Sequence, residues 1–595
     1  MKNREFYEKI SALLKKVDKP ARYCGGEFNT PEIKQDATLR FLMCFPDVYE
    51  VAMSNLGIKI LYHMLNSLDF CACESCFAPW EDMGALLKGN GLPLFSLETR
   101  TPIGQFDIIG FSMQYELSYT NVLYMLELGK IPLLKKDRKE SDPLIIAGGP
   151  CMINPMPLEG FVDLFSIGDG EDTIAEIAKL YDKIKKSGGS KSDFLKAAIG
   201  IDGVYVPGLN DNKAKRAIVK DLDKAFYPTK IKIPNMEAVH NRAVLEIFRG
   251  CTRGCRFCQA GMIYRPVRER SVDELVKKAE ELIYNNGFDE ISFSSLSTCD
   301  YPHLKELLQK IKPITQKARV NISLPSTRVD SFEAEYADDL RKSSITFAPE
   351  AGTQRLRDVI NKNVTEDDIF KSVTYAFEKG YSSVKLYFMI GLPTETQEDI
   401  EGIPAICEKI KALYKQHANT KKMLSLSVST STFVPKPFTP FQWERQISLE
   451  EIEQKQSYLK DALKKLKVKY SWHEGKSSRI EAVLARGGKE LSSVLLSAYK
   501  KGCVFDSWSE KFSFDKWIES FAENGISPDT YTDGFALDEA LSWDVIDAGV
   551  EKKFLLSERE KAYKAVTTPD CRNKCHNCGI VSLTKTACKN LCARS

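Results

Sequence analysis

Three cysteines near the middle of the chain have the spacing of a ligand set for a metal cluster. Cys251, Cys255 and Cys258 are arranged as C-x3-C-x2-C. The apolar run 243–248 precedes them, so the thiols are expected on a loop at the carboxyl end of a strand. Iron–sulfur clusters take cysteine thiolates, and three thiolates leave one iron of a 4Fe–4S cubane open. A structural zinc would need a fourth ligand nearby, and the next histidine, His303, lies in a different segment. The spacing therefore favours an iron–sulfur cluster whose open iron can bind a substrate or cofactor.

The same loop resembles the signature of a known enzyme family. With Phe257 before the third cysteine, it reads C-x3-C-x-aromatic-C, which is similar to the motif of radical S-adenosylmethionine (SAM) enzymes. The resemblance implies that the amino and carboxylate groups of SAM occupy the open iron. It also implies that an electron from the cluster cleaves the sulfonium to a 5'-deoxyadenosyl radical, with the three cysteines as catalytic cluster ligands and Phe257 beside the cofactor.

The composition indicates a large, nearly neutral protein. The chain has 595 residues, of which 43% are hydrophobic, and a formal net charge of +3. Several domains are expected, and no global field favours nucleic acid. The N-terminus resembles an amphipathic helix rather than a signal peptide, and no apolar run is long enough to span a membrane. Seventeen cysteines, several of them clustered, favour a reducing cytoplasm and metal clusters over disulfides.

Residues 40–200 alternate apolar runs with helical patterns. This alternation predicts an α/β fold with a doubly wound, flavodoxin-like parallel sheet. Ligands of such sheets bind beyond the carboxyl ends of the strands. Polar and glycine-rich turns that would let a large ligand approach the backbone follow three of the predicted strands, at Ser112, Gly148, Gly149, Gly168 and Gly170.

This region resembles the cobalamin-binding domain that precedes many radical SAM barrels, which implies that the five turn residues contact a corrin. The usual D-x-H-x-x-G motif, whose histidine lies below the cobalt, has no match in the loop 46–57. His63, on the following helix, is predicted to be structural. Any cobalamin is therefore expected to bind without a histidine ligand from the protein. A nearby C-x-C-x2-C, Cys71 to Cys76, could be a further metal site or a set of buried, inert thiols.

Six apolar runs recur between residues 236 and 465, mostly separated by helical patterns. They predict a partial (β/α)6 radical SAM barrel with its functional residues at the carboxyl ends of the strands. The predicted strands are 243–248, 290–294, 320–324, 344–347, 383–390 and 424–430.

The second and third strands end in polar residues. Ser294, Ser295 and Ser297 follow the second strand, where the family contacts the amino group of SAM. Arg328 follows the third strand and could hold a carboxylate through two hydrogen bonds.

The fourth and fifth strands end in segments similar to the family's E-x-G and G-L-P-x-E-T motifs. The resemblance implies that Glu350 accepts hydroxyl protons of the SAM ribose and that backbone groups near Gly391 recognise adenine. Glu350 could instead only cap the helix that follows it. The exit segment 433–443 resembles the one that closes the barrel in methylthiotransferases.

The end of the chain carries a second group of thiols. Five cysteines lie in a polar tail that needs a metal to order it: Cys571, Cys575, Cys578, Cys588 and Cys592. Their spacing is compatible with a second iron–sulfur cluster and with a zinc site.

Over nearly its full length the chain resembles an uncharacterised fused family that joins a cobalamin-binding-like domain to a radical SAM core. The predicted organisation is a helical extension (1–39), the cobalamin-binding-like domain (40–200), a β-hairpin connector (201–235), the barrel (236–465), a mostly helical region (466–568) and the Cys-rich tail (569–595).

The resemblance implies a cytoplasmic radical SAM enzyme that takes electrons from a donor such as flavodoxin or ferredoxin. With cobalamin, it would transfer a methyl group to an unactivated carbon. The alternatives are a cobalamin-independent, methylthiolation-like enzyme acting on RNA, and a non-catalytic iron–sulfur or RNA-associated module.

Overall fold

The N-terminal part is built on one sheet. The structure is a computed structural model that describes residues 3–324, 345–585 and 588. Its first six strands are β1 Leu39–Phe45, β2 Cys71–Phe77, β3 Ile108–Ser112, β4 Leu144–Gly148, β5 Leu164–Ser166 and β6 Val204–Tyr205. They lie in the order β2-β1-β3-β4-β5-β6, with β1 to β5 parallel and β6 antiparallel to β5. The doubly wound sheet predicted from the alternation is confirmed.

Helices cover both faces of this sheet, which is why its strands are apolar on both sides. The helices are α1 Asn3–Leu13, α2 Tyr49–Ala52, α3 Leu56–Asn66, α4 Glu81–Gly89, α5 Tyr119–Leu128, α6 Gly170–Lys186 and α7 Lys191–Ala198. Asn55 begins α3, because its side chain accepts a hydrogen bond from the Ile58 N–H at 3.0 Å. This cap fixes the start of α3 beside the carboxyl ends of the strands.

Cys71, Cys73 and Cys76 lie on β2, a strand that is buried along its whole length. Burial raises the pKa of Cys71 to about 12 and raises the pKa of Cys73 well above its ordinary value. Burial of this kind favours the interpretation as inert thiols over that as a further metal site.

The connector is not a β-hairpin, which corrects the prediction for residues 201–235. Strand β6 pairs with β5, and the next strand, β7 Ala214–Lys215, pairs in parallel with Ile546–Asp547 near the end of the chain. Two short strands beside exposed sheet edges can pair with those edges instead of with each other. Local alternation does not distinguish the two arrangements.

All six predicted barrel strands are present. The strands of this part are β8 Ala243–Glu246, β9 Phe248–Arg249, β10 Arg268–Glu269, β11 Glu290–Ser294, β12 Asn321–Ser323, β13 Ile345–Glu350, β14 Ser383–Ile390, β15 Ser425–Thr432 and β16 Lys469–Trp472. Two parallel sheets result, of order β12-β11-β8 and β13-β14-β15-β16, while β9 and β10 form a short antiparallel ribbon. Arg328 lies outside the described residues.

Strand β16 adds a further parallel strand to the barrel and corrects the sequence prediction, which assigned residues from 466 onward to a helical region. It pairs with β15 through residues Lys469 to Trp472. Four residues are too few for a clear period of two, and the strand forms because the edge of β15 is available.

The helices between and after the barrel strands are α8 Ala260–Ile263, α9 Val272–Asn286, α10 Leu304–Ala318, α11 Gln354–Val359, α12 Glu366–Glu378, α13 Gln397–His417 and α14 Leu449–Lys465. Several begin with a side-chain cap. Thr365 and Ser448, for example, form capping boxes with Asp368 and Glu451.

The C-terminal region is mostly helical and packs against the N-terminal domain. Its elements are α15 Gly475–Arg486, α16 Leu491–Lys500, α17 Phe514–Glu523, α18 Asp529–Thr532, β17 Ile546–Asp547, α19 Lys552–Tyr563 and α20 Ile580–Thr584. Buried Asn121 on α5 accepts the Phe505 N–H at 2.7 Å, and Trp517 shares a core with Leu123. Among the described helices, none has the length and apolarity needed to cross a bilayer.

Candidate active site

Phe257 attaches the cysteine loop to the ends of two other strands. It packs against a buried apolar cluster that includes Ala351, next to Glu350, and Leu392, next to Gly391. The motifs predicted after the first, fourth and fifth barrel strands therefore meet on one face of the barrel.

Arg256 attaches the cysteine loop to the surrounding structure. Its side chain is fully buried and forms an ion pair with Glu558 of α19 at 3.1 Å. Its Nη1 donates to the carbonyls of Asp358 and Val359 at 3.1 and 2.8 Å. These bonds connect the cysteine loop to the end of α11 and to the C-terminal region.

Asn361 holds the backbone between the first two cysteines. Its Nδ2 donates to the carbonyls of Arg253 and Gly254 at 3.2 and 3.1 Å, and its Oδ1 accepts the Thr568 N–H at 2.7 Å. Asn361 is fully buried and has a φ of 53°, a conformation that asparagine tolerates better than most residues. Sequence reasoning missed both residues, because Arg256 occupies an unspecified position of the cysteine motif and Asn361 belongs to no motif.

The three loop thiols are half-buried, and Cys251 and Cys255 lie near enough to Cys258 to affect its charge. Burial, and then the neighbouring Cys255 and Cys251, raise the pKa of Cys258 to about 12. The Gly261 N–H donates to the Cys258 sulfur at 3.4 Å, a contact that favours a thiolate.

Within the described residues, no three His, Cys, Asp or Glu side chains converge on the position of a single metal ion. A 4Fe–4S cluster makes a different demand, because each thiolate binds a separate iron. Three thiols on one partly exposed loop, with a backbone N–H directed at a sulfur, fit that demand.

Glu350 ends β13 with a φ of 68° and forms an ion pair with Lys362 at 3.1 Å. It does not cap the following helix, because Thr353 accepts the Leu356 N–H in that role. The Lys362 charge also acts on Cys258, so Lys362 lies between the predicted ribose ligand and the cysteine loop. Sequence reasoning did not identify Lys362.

The Gly391 N–H is already engaged. It donates to both carboxylate oxygens of Glu395 at 3.0 Å, and Glu395 pairs with Lys455 at 2.9 Å. The residue has a φ of 79°, and a Cβ there would lie 2.7 Å from Ile447. Gly391 therefore shapes the turn, and any adenine contact must use other backbone groups of this segment.

The three serines after β11 have different surroundings. Ser294 and Ser295 line a cavity, and the Ser295 hydroxyl lies 3.2 Å from that of Thr298. Ser297 is buried, and its hydroxyl has no hydrogen-bond partner among the described residues.

That cavity lies between the carboxyl edge of the N-terminal sheet and the barrel. Its volume is about 380 Å³, within the range of small-molecule sites. It is lined by all five residues predicted to contact a corrin: Ser112, Gly148, Gly149, Gly168 and Gly170. On the barrel side its lining extends to Gly250, the residue before Cys251.

At two positions in the cavity wall the backbone conformation and the neighbouring atoms allow only glycine. Gly149 has a φ of 107°, and a Cβ would lie 2.4 Å from the Met113 carbonyl oxygen. Gly168 has a φ of 104°, and a Cβ would lie 2.3 Å from the Ala217 carbonyl oxygen. A side chain at either position would clash with the backbone that forms the wall.

Arg249 joins the two halves of the cavity. Its guanidinium pairs with Asp169 at 3.3 Å and with Glu171, both from the N-terminal domain, and with Glu246 of the barrel at 2.8 Å. These buried ion pairs fix the sheet edge relative to the first barrel strand.

His63 is structural, as predicted. Its Nε2 accepts the Lys232 N–H at 3.1 Å. Burial, and then the nearby charges of Lys232 and Lys59, lower its pKa to about 4, so the ring is neutral. No histidine is among the described residues that line the cavity.

The Cys-rich tail docks on the barrel cysteine loop. The Cys571 N–H donates to the Thr252 carbonyl at 3.1 Å, and Asp570 accepts the Thr252 hydroxyl at 2.7 Å. Cys575 is exposed, Cys571 and Cys578 are half-buried, and Cys592 lies outside the described residues. The pKa of Cys588 is raised by burial and by Cys578 and Cys575, so these thiols are neighbours.

Two family models match the chain. "Radical SAM proteins, N-terminal" matches residues 57–207, and "Radical SAM superfamily" matches residues 245–403. The uncharacterized protein MJ0966 of Methanocaldococcus jannaschii is 31% identical over 464 residues, which are 77% of this chain and 95% of that protein. The chain belongs to the radical SAM superfamily. This membership confirms the predicted family, whose members use a 4Fe–4S cluster and SAM. It also confirms the prediction that the protein is an enzyme.

Other relatives are more distant. An uncharacterized methyltransferase of Pyrococcus horikoshii, PH0819, is 24% identical over 264 residues, 43% of this chain and 54% of that protein. The ribosomal protein uS12 methylthiotransferase RimO of a Thermoanaerobacter species is 24% identical over 369 residues, 59% of this chain and 72% of that protein.

Two solved radical SAM structures are similar to this one. The methyltransferase TsrM from Kitasatospora setae, with cobalamin and a 4Fe–4S cluster bound, has a TM-score of 0.46 and 15% identity, covering 68% of this chain and 77% of that chain. The cobalamin-dependent enzyme OxsB, with aqua-cobalamin and SAM bound, has a TM-score of 0.45 and 12% identity, covering 88% of this chain and 79% of that chain.

Proposed function

We propose that this enzyme holds a 4Fe–4S cluster on Cys251, Cys255 and Cys258 and uses a corrin in the adjoining cavity to transfer a methyl group to an unactivated carbon. The observation that carries the proposal is the cavity itself, which is lined by the glycine turns of the sheet edge and by Gly250 beside Cys251. The cavity therefore extends from the turns predicted to contact a corrin to the residue before the cysteine loop.

When bound, the cluster supplies the electron that cleaves SAM, and the corrin supplies a cobalt that carries a methyl group. The chain supplies binding and orientation. Glu350 would accept the ribose hydroxyls of SAM, with Lys362 holding its carboxylate in place. The Gly149 and Gly168 turns would let the corrin approach the backbone.

The corrin would have no protein histidine below the cobalt. The described lining contains none, and His63 is committed to the Lys232 N–H. The relationship to a methyltransferase of Pyrococcus horikoshii supports methyl transfer as the reaction class.

A second candidate is methylthiolation of RNA or protein without cobalamin. The relationship to RimO favours it, and so does the tail C-x3-C-x2-C, because a second iron–sulfur cluster could supply sulfur. In both cases we propose that the tail thiols Cys571, Cys575, Cys578, Cys588 and Cys592 bind metal, that the protein works in the cytoplasm, and that a flavodoxin or ferredoxin supplies electrons.

Anaerobic product analysis separates these candidates. Cluster-reconstituted protein is incubated with SAM and a reductant, with and without hydroxocobalamin. Methyl transfer predicts 5'-deoxyadenosine, together with S-adenosylhomocysteine that forms only when cobalamin is present. S-adenosylhomocysteine that forms equally without cobalamin favours methylthiolation, and the absence of both products would overturn the enzymatic proposal.

A further inference from the structure

Arg216 lies in the wall of the cavity but belongs to neither cofactor motif. It follows strand β7 of the connector, where its side chain contacts the Gly168 turn, and it is only 3% exposed. It lines the cavity together with Gly168 and Arg249.

The Arg216 guanidinium is only partly satisfied. Its Nε donates to the Ala548 carbonyl at 3.2 Å and its Nη2 to the Arg265 carbonyl. These two bonds fix the plane of the group. Its Nη1 is buried and has no hydrogen-bond acceptor among the described residues. Buried N–H groups without a partner are rare in folded proteins and are often completed by a ligand.

Asp169 and Asp547 act electrostatically on Arg216, but neither forms an ion pair with it. The neighbouring guanidiniums and carboxylates are paired with one another: Arg249 with Asp169, Glu171 and Glu246, Arg268 with Asp169, and Arg270 with Glu246. Asp169 is therefore shared between Arg216 and the two cations that pair with it directly. Within the described residues Arg216 has no ion-pair partner of its own, and burial lowers its pKa to about 10, which leaves it protonated near neutral pH.

We propose that Arg216 is an anion-recognition residue and that its Nη1 binds a phosphate oxygen of the molecule that occupies the cavity. A fixed guanidinium whose Nη1 lacks a hydrogen-bond acceptor suits a phosphate, and a buried cation that forms no ion pair is stabilised when its ligand brings a negative charge. The phosphate could come from two sources. The first is the phosphodiester of the cobalamin nucleotide loop, and for this source the inference rests on the proposed function. The other source is a phosphate-bearing ligand that contains no corrin.

The test compares ligands that differ in the phosphate. Cobalamin, cobinamide, which lacks the phosphodiester and the base, and cobinamide phosphate, which restores the phosphate alone, are titrated into full-length protein. The proteins are wild type, Arg216→Gln and Arg216→Lys. The readout is the ratio of the cobinamide Kd to the cobinamide phosphate Kd within each protein. A merely structural effect of the substitution weakens both ligands and leaves this ratio unchanged.

The wild-type ratio is expected to be about 10 to 100, the range for one buried charge-assisted hydrogen bond. It should fall to about 1 in Arg216→Gln, which can still donate a hydrogen bond but carries no charge, and should stay intermediate in Arg216→Lys. A wild-type ratio near 1, or an unchanged ratio in Arg216→Gln, overturns the proposal.

A separate arm covers the case in which no corrinoid binds, which would count against the proposed function. Inorganic phosphate is then used as the probe, and thermal unfolding of wild type and Arg216→Gln is followed. A phosphate-dependent rise in Tm that is lost in Arg216→Gln supports the anion site without a corrin. No rise in either protein overturns it.

Discussion

The chain contains C-x3-C-x2-C twice, and the two copies differ in what orders them. The barrel copy lies on a loop whose backbone is held by buried Arg256 and Asn361. The tail copy is more exposed, and its clearest attachment is the bonding of Asp570 and Cys571 to Thr252. Equal spacing therefore predicts equal ligands but not equal preorganisation. We expect the barrel loop to keep its shape without metal, and the tail to depend on metal.

Replacing Cys251, Cys255 and Cys258 together with Ala should have the largest effect. The protein should lose one cluster's iron and all reductive cleavage of SAM, because these three thiols are the proposed ligands of the cluster that supplies the electron. Iron analysis, electron paramagnetic resonance and 5'-deoxyadenosine assays measure the change. Cys24→Ala, which removes an exposed thiol, is the control. Cleavage that persists in the triple variant would remove these cysteines from the mechanism.

Replacing Cys571, Cys575 and Cys578 with Ser tests the other copy. The tail should lose its metal while the barrel cluster keeps its spectrum. Substitution is a sharper test than truncation before Pro569, because truncation also deletes Asp570, which binds the barrel loop. Asp570→Asn is the companion variant, and it should keep both metals but weaken the attachment to Thr252. Equal metal content in wild type and the serine variant would mean that the tail thiols bind no metal.

Glu350→Gln should weaken SAM binding by about 1–3 kcal/mol, the usual effect of disturbing a charge-assisted hydrogen bond. The iron content should not change, because Glu350 contacts Lys362 and is not a proposed cluster ligand. Equilibrium binding of SAM measures the effect. Glu366→Gln, on the outer helix α12, is a matched control, since Glu366 pairs with Lys409 instead. Loss of iron without a separate binding defect would assign Glu350 to structure.

His63→Gln should have the smallest functional effect and leave the absorption spectrum of bound corrin unchanged. Its effect should appear in stability. The folded pKa of about 4 lies below the ordinary value of 6.5, so wild type loses stability as the pH falls from about 6.5 through 4. The loss can reach about 3 kcal/mol, and the variant should lack this component. Urea unfolding at several pH values measures it. A changed corrin spectrum would contradict the structural role.

The parts of the fold and of the candidate site that follow from long or repeated sequence patterns could be predicted. The alternation of strands and helices specified the parallel strands of the N-terminal sheet and of the barrel, and the cysteine spacing, Glu350 and the glycine turns followed from local motifs. The turns converge on one cavity because parallel strands end at the same edge of a sheet.

What could not be predicted depends on contacts between distant segments. Arg256 is identified only by its pairing with Glu558, and Arg216 only by its place in the cavity wall. Strand β16 and the partners of β7 were missed because short strands pair with whichever edge the fold leaves open.

The central claim is that the N-terminal sheet edge and the barrel share one cavity that holds a corrin. Anaerobic gel filtration of cluster-reconstituted protein with hydroxocobalamin tests it, using wild type, Ser294→Trp and Tyr284→Trp. Ser294→Trp fills the cavity from the barrel side, whereas Tyr284→Trp adds the same ring to an exposed position on α9. The account predicts that corrin co-elutes with wild type and Tyr284→Trp but not with Ser294→Trp. Corrin retained equally by all three proteins, or by none, would contradict it.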